Sequence, residues 1–154
     1  TFMPKYGSLV EAGRANDVAR RMMKKEFPAF VGPAFEDICQ QWIMRQVGAG
    51  DLDILPREIG SWWGTDPRTR TQEEIDIVAP GIDGELLLGE CKWRNEEVDV
   101  KVLDRLVERS EIFMAASKQL YLFAKAGFTD TCRAHAKRMG NVQLVELEEL
   151  FAGK

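Results

Sequence analysis

The clearest periodic signal lies just beyond Pro33, where Phe35, Ile38, Cys39, Trp42 and Ile43 recur at i, i+3, i+4, i+7 and i+8, the stripe of a core-facing helix. Pro33 suits the first position of that helix, because its missing N–H is one that a helix start leaves unused. Glu36 falls at the margin of the stripe, on the side of Cys39 and Ile43, where the core meets solvent. Gly48, Gly50, Asp51 and Asp53 then break the pattern, and Ile54 to Trp63 reads as a strand with Pro56 near its beginning. The apolar runs Glu74 to Ala79 and Glu85 to Trp93 flank the turn-rich segment Pro80 to Gly84 and read as a hairpin. A second long helix carries Val102, Leu103, Leu106, Val107, Phe113 and Met114 on one face, with Lys101, Asp104, Arg105, Glu108 and Arg109 on the other. Gln119 to Ala124 is a β-rich run, Thr129 caps a third helix through about Met139, and Val142 to Leu147 is a last strand. A short helix from roughly Asn16 to Lys25 precedes all of these as a lead-in. The order α-β-β-β-α-β-α-β predicts an α/β fold with a mixed sheet, part of it antiparallel, and helices packed on its faces.

Length and composition agree with one domain: 154 residues, 45% hydrophobic and 30% charged, are enough to bury a sizeable core beneath a polar surface. No apolar run approaches the roughly 20 residues that span a bilayer, and no charged-then-apolar leader opens the chain, so the expectation is a cytoplasmic protein with no membrane partner. The chain opens on Thr1 rather than an initiator Met, which points to a piece of a longer protein or a processed start. Cys39, Cys91 and Cys132 are odd in number and follow no ligand spacing, and are expected as small buried hydrophobes. A net charge of −4 does not advertise a nucleic-acid surface. Yet residues 1–30 hold six basic side chains, Lys5, Arg14, Arg20, Arg21, Lys24 and Lys25, against Glu11, Asp17 and Glu26, so a basic face is compatible with the acidic total.

The candidate chemistry sits in the hairpin. Side chains alternate along a strand, so Glu90 and Lys92 project from one face while Cys91 points to the other, and the short Pro80 to Gly84 connection brings Asp76 opposite them. Two carboxylates and an ammonium on one spot suit phosphodiester hydrolysis: hard oxygen ligands hold Mg²⁺ or Mn²⁺, and the Lys orients the attacking water or stabilises negative charge in the transition state. A bare Glu-x-Lys is nearly worthless as a motif, and the competing reading is a cross-strand ion-pair cluster on a solvated face. The setting decides between them, since these charges lie inside very apolar strands, Ile75-Asp76-Ile77-Val78 and Leu86 to Cys91, where an unneeded ion is costly to half-bury.

Further residues carry a resemblance. Phe30-Val31-Gly32 with Phe35-Glu36, Ile59-Gly60-Ser61-Trp62-Trp63, Glu74 to Val78, Gly89-Glu90-Cys91-Lys92-Trp93 and Gly127-Phe128-Thr129 resemble the C-terminal domain, of unassigned function, carried by many archaeal and bacterial AAA+-type ATPases. That domain belongs to the PD-(D/E)XK nuclease-like superfamily. Ser8 to Arg14 is similar to the segment joining the ATPase portion to it. The resemblance implies a restriction-endonuclease-like αβββαβ core in residues 31–154, with residues 1–30 as lead-in from an ATPase portion. By motif it implies Glu36 as the acidic residue of the first core helix, Asp76 as the Asp of the second strand, and Glu90 with Lys92 as the E-x-K of the third. Ile75 stands where the superfamily's name puts Pro. The expected metal ligands are therefore Asp76, Glu90 and Glu36, and the expected catalytic residues Asp76, Glu90 and Lys92, with Mg²⁺ or Mn²⁺ as cofactor.

Two functions of different class follow: a Mg²⁺-dependent deoxyribonuclease domain, or a catalytically silent module that docks an ATPase onto a protein or DNA partner. Net acidity leaves DNA affinity to a homodimer or an attached domain. Trp62 and Trp63 are expected as one core ring and one sheet-edge cover rather than base-stacking platforms, and Trp93 as core. His135, on the third helix beside Arg133, Lys137 and Arg138, reads as a surface residue rather than a general base. No GxxxxGK[ST] occurs in the chain.

Overall fold

A computed structural model describes residues 1–6 and 28–152. The helix expected from Asn16 to Lys25, the Ser8 to Arg14 segment and the basic side chains between them lie outside the described residues. The first helix, α1 (Pro28–Ala49), buries the stripe read from the sequence: Phe35, Ile38, Cys39 and Ile43 are at most 1% exposed. Its start differs, because Pro28 rather than Pro33 takes the opening position. Pro33 lies inside the helix, where its missing N–H forfeits a bond to the Ala29 carbonyl. The expected division between residues 30 and 31 therefore falls within α1, and residues 2–6 form a strand of the sheet, β1 (Phe2–Tyr6).

The strands that follow are β2 (Ile59–Thr65), β3 (Gln72–Pro80) and β4 (Glu85–Lys92), each antiparallel to its predecessor. After α2 (Val100–Ser110) come β5 (Ser117–Ala124), α3 (Asp130–Met139), β6 (Val142–Glu146) and α4 (Leu147–Phe151). β5 and β6 join in parallel, giving among the described residues a six-stranded sheet in the order β1-β2-β3-β4-β5-β6. This is the mixed sheet, flanked by helices, that the pattern predicts. β2 begins at Ile59 and not at Ile54, because Pro56 has no N–H to give and makes only an isolated bridge to Gly81.

Each sheet face buries its own core. α1 and α4 cover Ile59, Ile77, Ala79, Leu87, Tyr121, Phe123 and Val145, whereas α2 and α3 cover Ile75, Val78, Leu86, Leu88, Leu120, Leu122 and Ala124. α3 is capped as expected, the Thr129 hydroxyl accepting from Cys132 N and Gly140 closing it at φ 81°. α2 ends sooner than its apolar stripe suggested, at Ser110. Phe113, beyond that end, still packs edge-on against Trp62 at 5.1 Å, but Met114 is fully exposed. No described helix is long and apolar enough to cross a membrane.

The centre of β4 has no room to spare. A Cβ on Gly89 would lie 3.2 Å from Ile77 Cβ and 3.4 Å from the Tyr121 carbonyl oxygen, on the two flanking strands. Gly89→Ala is expected to destabilise the domain by about 1–3 kcal/mol in urea denaturation, the usual cost of overpacking; an unchanged midpoint would mean that β3 and β5 spread freely here.

Candidate functional site

β3 and β4 pair from Pro80↔Leu86 to Ile77↔Gly89 and no further, so Glu90, Cys91 and Lys92 continue beside β5 alone. β3 stays with β2, but the register shifts there: Gly60 faces Val78 and Trp62 faces Ile75, leaving Asp76 and Ile77 opposite Ser61. This bulge reverses the alternation of β3, which is why Ile75 joins the core under α2 while Ile77 joins the one under α1. Asp76 stands at the fork and spans it. Its Oδ2 accepts from Cys91 N at 2.9 Å, in place of a ladder bond, and its carbonyl accepts from Gln40 Nε2 at 3.2 Å.

Glu90 lies beside Asp76 and is 4% exposed. Its Oε1 accepts from Arg109 Nη1 at 2.7 Å, and Arg109 Nε donates to Glu73 Oε2 at 2.9 Å, so one guanidinium from α2 bridges a carboxylate on β3 and another on β4. Arg105 reaches Glu73 more loosely, at 3.7 Å. Burial, then the charge of Asp76 and a hydrogen bond with it, push the Glu90 carboxyl up to about 8; Arg109 and Lys92 pull the other way without prevailing. For Glu73 the balance is reversed: burial opposes its charge, but Arg109 prevails and holds the carboxyl below the usual range.

Of the residues picked out in the sequence, Asp76 and Glu90 are therefore brought together, with Lys92 close enough to bear on the Glu90 charge. Glu36 is half-buried on α1 and meets Asp76 across a cavity of about 170 Å³, lined also by Ser61, Trp62, Trp63 and Glu74. Among the described residues no three His, Cys, Asp or Glu side chains are placed to hold a metal ion together. The donor set is two carboxyl groups, hydrogen-bonded to each other and engaged besides by Cys91 N and by Arg109. Gln40 adds a buried amide oxygen with no hydrogen-bond partner among the described residues. Such a set fits Mg²⁺, which keeps several waters and takes one or two carboxylates, better than it fits a metal needing a full protein cage. Cys39 and Cys91 do not contribute, since burial raises both thiols and leaves them protonated.

Arg109 and Gln40 were not singled out in the sequence. The charged positions of the second helix put Arg109 with its solvated face, yet at about 100° per residue it falls only roughly 20° from Val102, inside the apolar stripe. A cation in that register needs a buried anion, and that was the readable signal. Trp62 is half-buried against Phe113, whereas Trp63 is 48% exposed on β2, an interior strand and not the sheet edge expected, with its Nε1 on Met3 Sδ at 3.1 Å. Trp93 packs on Phe35 at 5.1 Å beneath Lys125. His135 lies at the surface, with Asp104 at 3.6 Å as a partner that the sequence did not suggest.

The six-stranded mixed sheet of the described residues, with helices on both faces, is the restriction-endonuclease-like fold. The MspJI restriction endonuclease, solved in complex with a 27-mer oligonucleotide, is similar over 96% of this chain and 34% of its own, with a TM-score of 0.51 and 14% identity. A crystal structure of the protein of unknown function AF1548 aligns over 73% of this chain and 64% of that one, with a TM-score of 0.46 and 19% identity. The chain thus spans about a third of the MspJI chain and under two thirds of the other. Within that fold class the chain belongs to the DUF234 family, archaeal and bacterial proteins of unknown function, which matches residues 1–103. No curated protein matches it.

The Glu90 shift has a consequence for stability. Its ordinary value is near 4.5 and its folded value about 8, so between these the folded protein keeps a proton that the unfolded chain has released. Stability from this group is full below about pH 4.5 and is lost as pH rises through 8. Glu90→Gln, compared with wild type by urea denaturation in EDTA, is therefore expected to gain more at pH 8 than at pH 5, by an amount on the order of a few kcal/mol. An offset independent of pH would refute the shift.

Proposed function

We propose that the chain is a Mg²⁺- or Mn²⁺-dependent DNA phosphodiester hydrolase module of the PD-(D/E)XK type, acting in the cytoplasm. The observation that carries this reading is the meeting of Asp76 and Glu90 at the fork between β3 and β4, beside Lys92. The fold supports it to the extent that MspJI, a restriction endonuclease of that fold, has been solved with an oligonucleotide. The fork also lies at the carboxyl end of β4, where open α/β sheets commonly place ligands.

In this reading Asp76 and Glu90 hold the cation, which replaces the hydrogen bond between the two carboxyl groups. The cation supplies polarisation of a phosphoryl oxygen and a more acidic water. Glu36, across the small cavity from α1, holds a water or serves as an accessory ligand. Lys92 orients the nucleophile and offsets charge growing on the phosphate. The acidic total, −4, leaves much of the affinity for a phosphate backbone to a second copy of the chain or to an attached domain, and the resemblance of Ser8 to Arg14 suggests an AAA+-type ATPase as that domain.

A second reading, a silent docking or DNA-binding module, is favoured by one feature: Arg109 already occupies Glu90 Oε1 and Glu73 Oε2, as in a structural network. The two readings part on cleavage. Incubated with supercoiled and branched DNA and Mg²⁺ or Mn²⁺, wild type is expected to nick, and Asp76→Ala and Lys92→Ala are expected to lose at least about a hundredfold in rate, as removal of a metal ligand or a charge-stabilising group commonly does. Equal nicking by all three proteins, or none by any, would leave the docking reading standing.

A further inference from the structure

We infer that Arg109 is a built-in competitor of the divalent cation for Glu90, and that Glu73 is the partner which allows it to give Glu90 up. The inference rests on the metal reading of Asp76 and Glu90.

Arg109 binds its two carboxylates through different nitrogens, Nη1 to Glu90 Oε1 at 2.7 Å and Nε to Glu73 Oε2 at 2.9 Å. The three side chains are little exposed, at 16% for Arg109, 14% for Glu73 and 5% for Glu90. A guanidinium cannot shed its charge by losing a proton, so a cation approaching Glu90 meets a fixed positive charge on the neighbouring oxygen. Without Glu73, releasing Glu90 would strand that charge in a half-buried place, which is among the costlier events in a protein interior. With Glu73 already bound at Nε, Arg109 keeps a counter-ion after Nη1 lets go. Glu73 is well suited to this, since Arg109 holds it ionised.

Sequence and topology place the three for this purpose. Glu73 and Ile75 precede the bulge and face α2, whereas Ile77 beyond it faces α1, so without the bulge Glu73 would not share a face with Glu90. Arg109 lies in the last turn of α2, which Arg68 ties to the β2–β3 turn through the Glu108 carbonyl at 2.8 Å and Glu111 at 2.7 Å.

The test is isothermal titration of the full chain with MgCl₂, supported by thermal melts with EDTA and with Mg²⁺. Arg109→Gln is expected to bind Mg²⁺ about tenfold or more tightly than wild type, because a positive charge beside the ion has gone. It is also expected to melt lower in EDTA and to gain more from Mg²⁺. Glu73→Gln, which keeps the shape and the hydrogen-bond acceptor, is expected to bind Mg²⁺ about tenfold more weakly, since Arg109 then has Glu90 alone. In the double variant Glu73→Gln should have little further effect, because its action runs through Arg109; this coupling separates the inference from the plain loss of a nearby negative charge. If wild type and Arg109→Gln bind Mg²⁺ equally, or Glu73→Gln costs as much with Arg109 absent as present, the competitor role is overturned while the metal site stands. If neither wild type nor Arg109→Gln binds Mg²⁺, the metal reading fails and the inference with it. Should Arg109→Gln not fold, Glu73→Gln decides alone, and affinity equal to or above that of wild type overturns the proposal.

Discussion

Two carboxyl groups that resist being charged together stand side by side at the fork between β3 and β4, and much of the surrounding structure can be understood as what keeps them there. Burying one ion without a partner costs several kcal/mol, and placing a second beside it adds repulsion. The supports come from three elements: Cys91 N on β4 holds one oxygen of Asp76, Gln40 on α1 holds its carbonyl, and Arg109 on α2 holds Glu90. Even so the balance stays unfavourable for Glu90, whose carboxyl remains well above the ordinary range. The site is strained electrostatically in a fold whose apolar layers are otherwise well buried on both faces.

The fork lies on the strand at which the sheet changes direction. β4 is the last antiparallel strand and the first of the parallel set: over Leu86 to Gly89 it pairs with β3 and β5 together, and beyond Gly89 only the β5 side continues. A parallel neighbour requires a crossover, and here the crossover carries α2, which packs over Leu88, Leu120 and Leu122. The same connection that turns the sheet parallel thus delivers Arg109 to Glu90. The acid comes from a strand and the base from the helix that follows it, which makes their meeting a result of topology more than of local sequence.

Much of this was legible. The 3.6-residue stripe of α1, the capping Thr129 and the Pro80 to Gly84 turn are local signals, and local signals survive folding. Asp76, Glu90 and Lys92 were visible because charge inside an apolar strand is costly and so calls for a reason. What escaped the sequence depends on register. The bulge opposite Ser61 has no composition of its own, so strict alternation placed Asp76, Glu90 and Lys92 on one simple face, whereas Asp76 spans a gap between strands that have already parted. Arg109 was missed for a related reason: the early end of α2 at Ser110 put Met114 in solvent, and a stripe drawn as far as Met114 left too little weight on the cation inside it. Glu73 depends on both features at once, since only the bulge turns it towards the side of α2 that carries Arg109.

The charge count bears on what the cluster is for. Glu73, Arg109 and Glu90 would make a serviceable structural network by themselves, two acids around one fork-shaped base, tying β3, β4 and α2 together. Asp76 is the residue such a network does not need. Its visible structural task is to accept the Cys91 N–H, and the amide oxygen of an asparagine would do that without bringing a second negative charge against Glu90. The carboxylate at this position instead makes the neighbouring one harder to ionise. A structural account has to treat that charge as a defect. In the proposed metal reading the same charge would have a use, as one of two acids serving a divalent cation, and Arg109 would be the charge that holds Glu90 in the cation's absence.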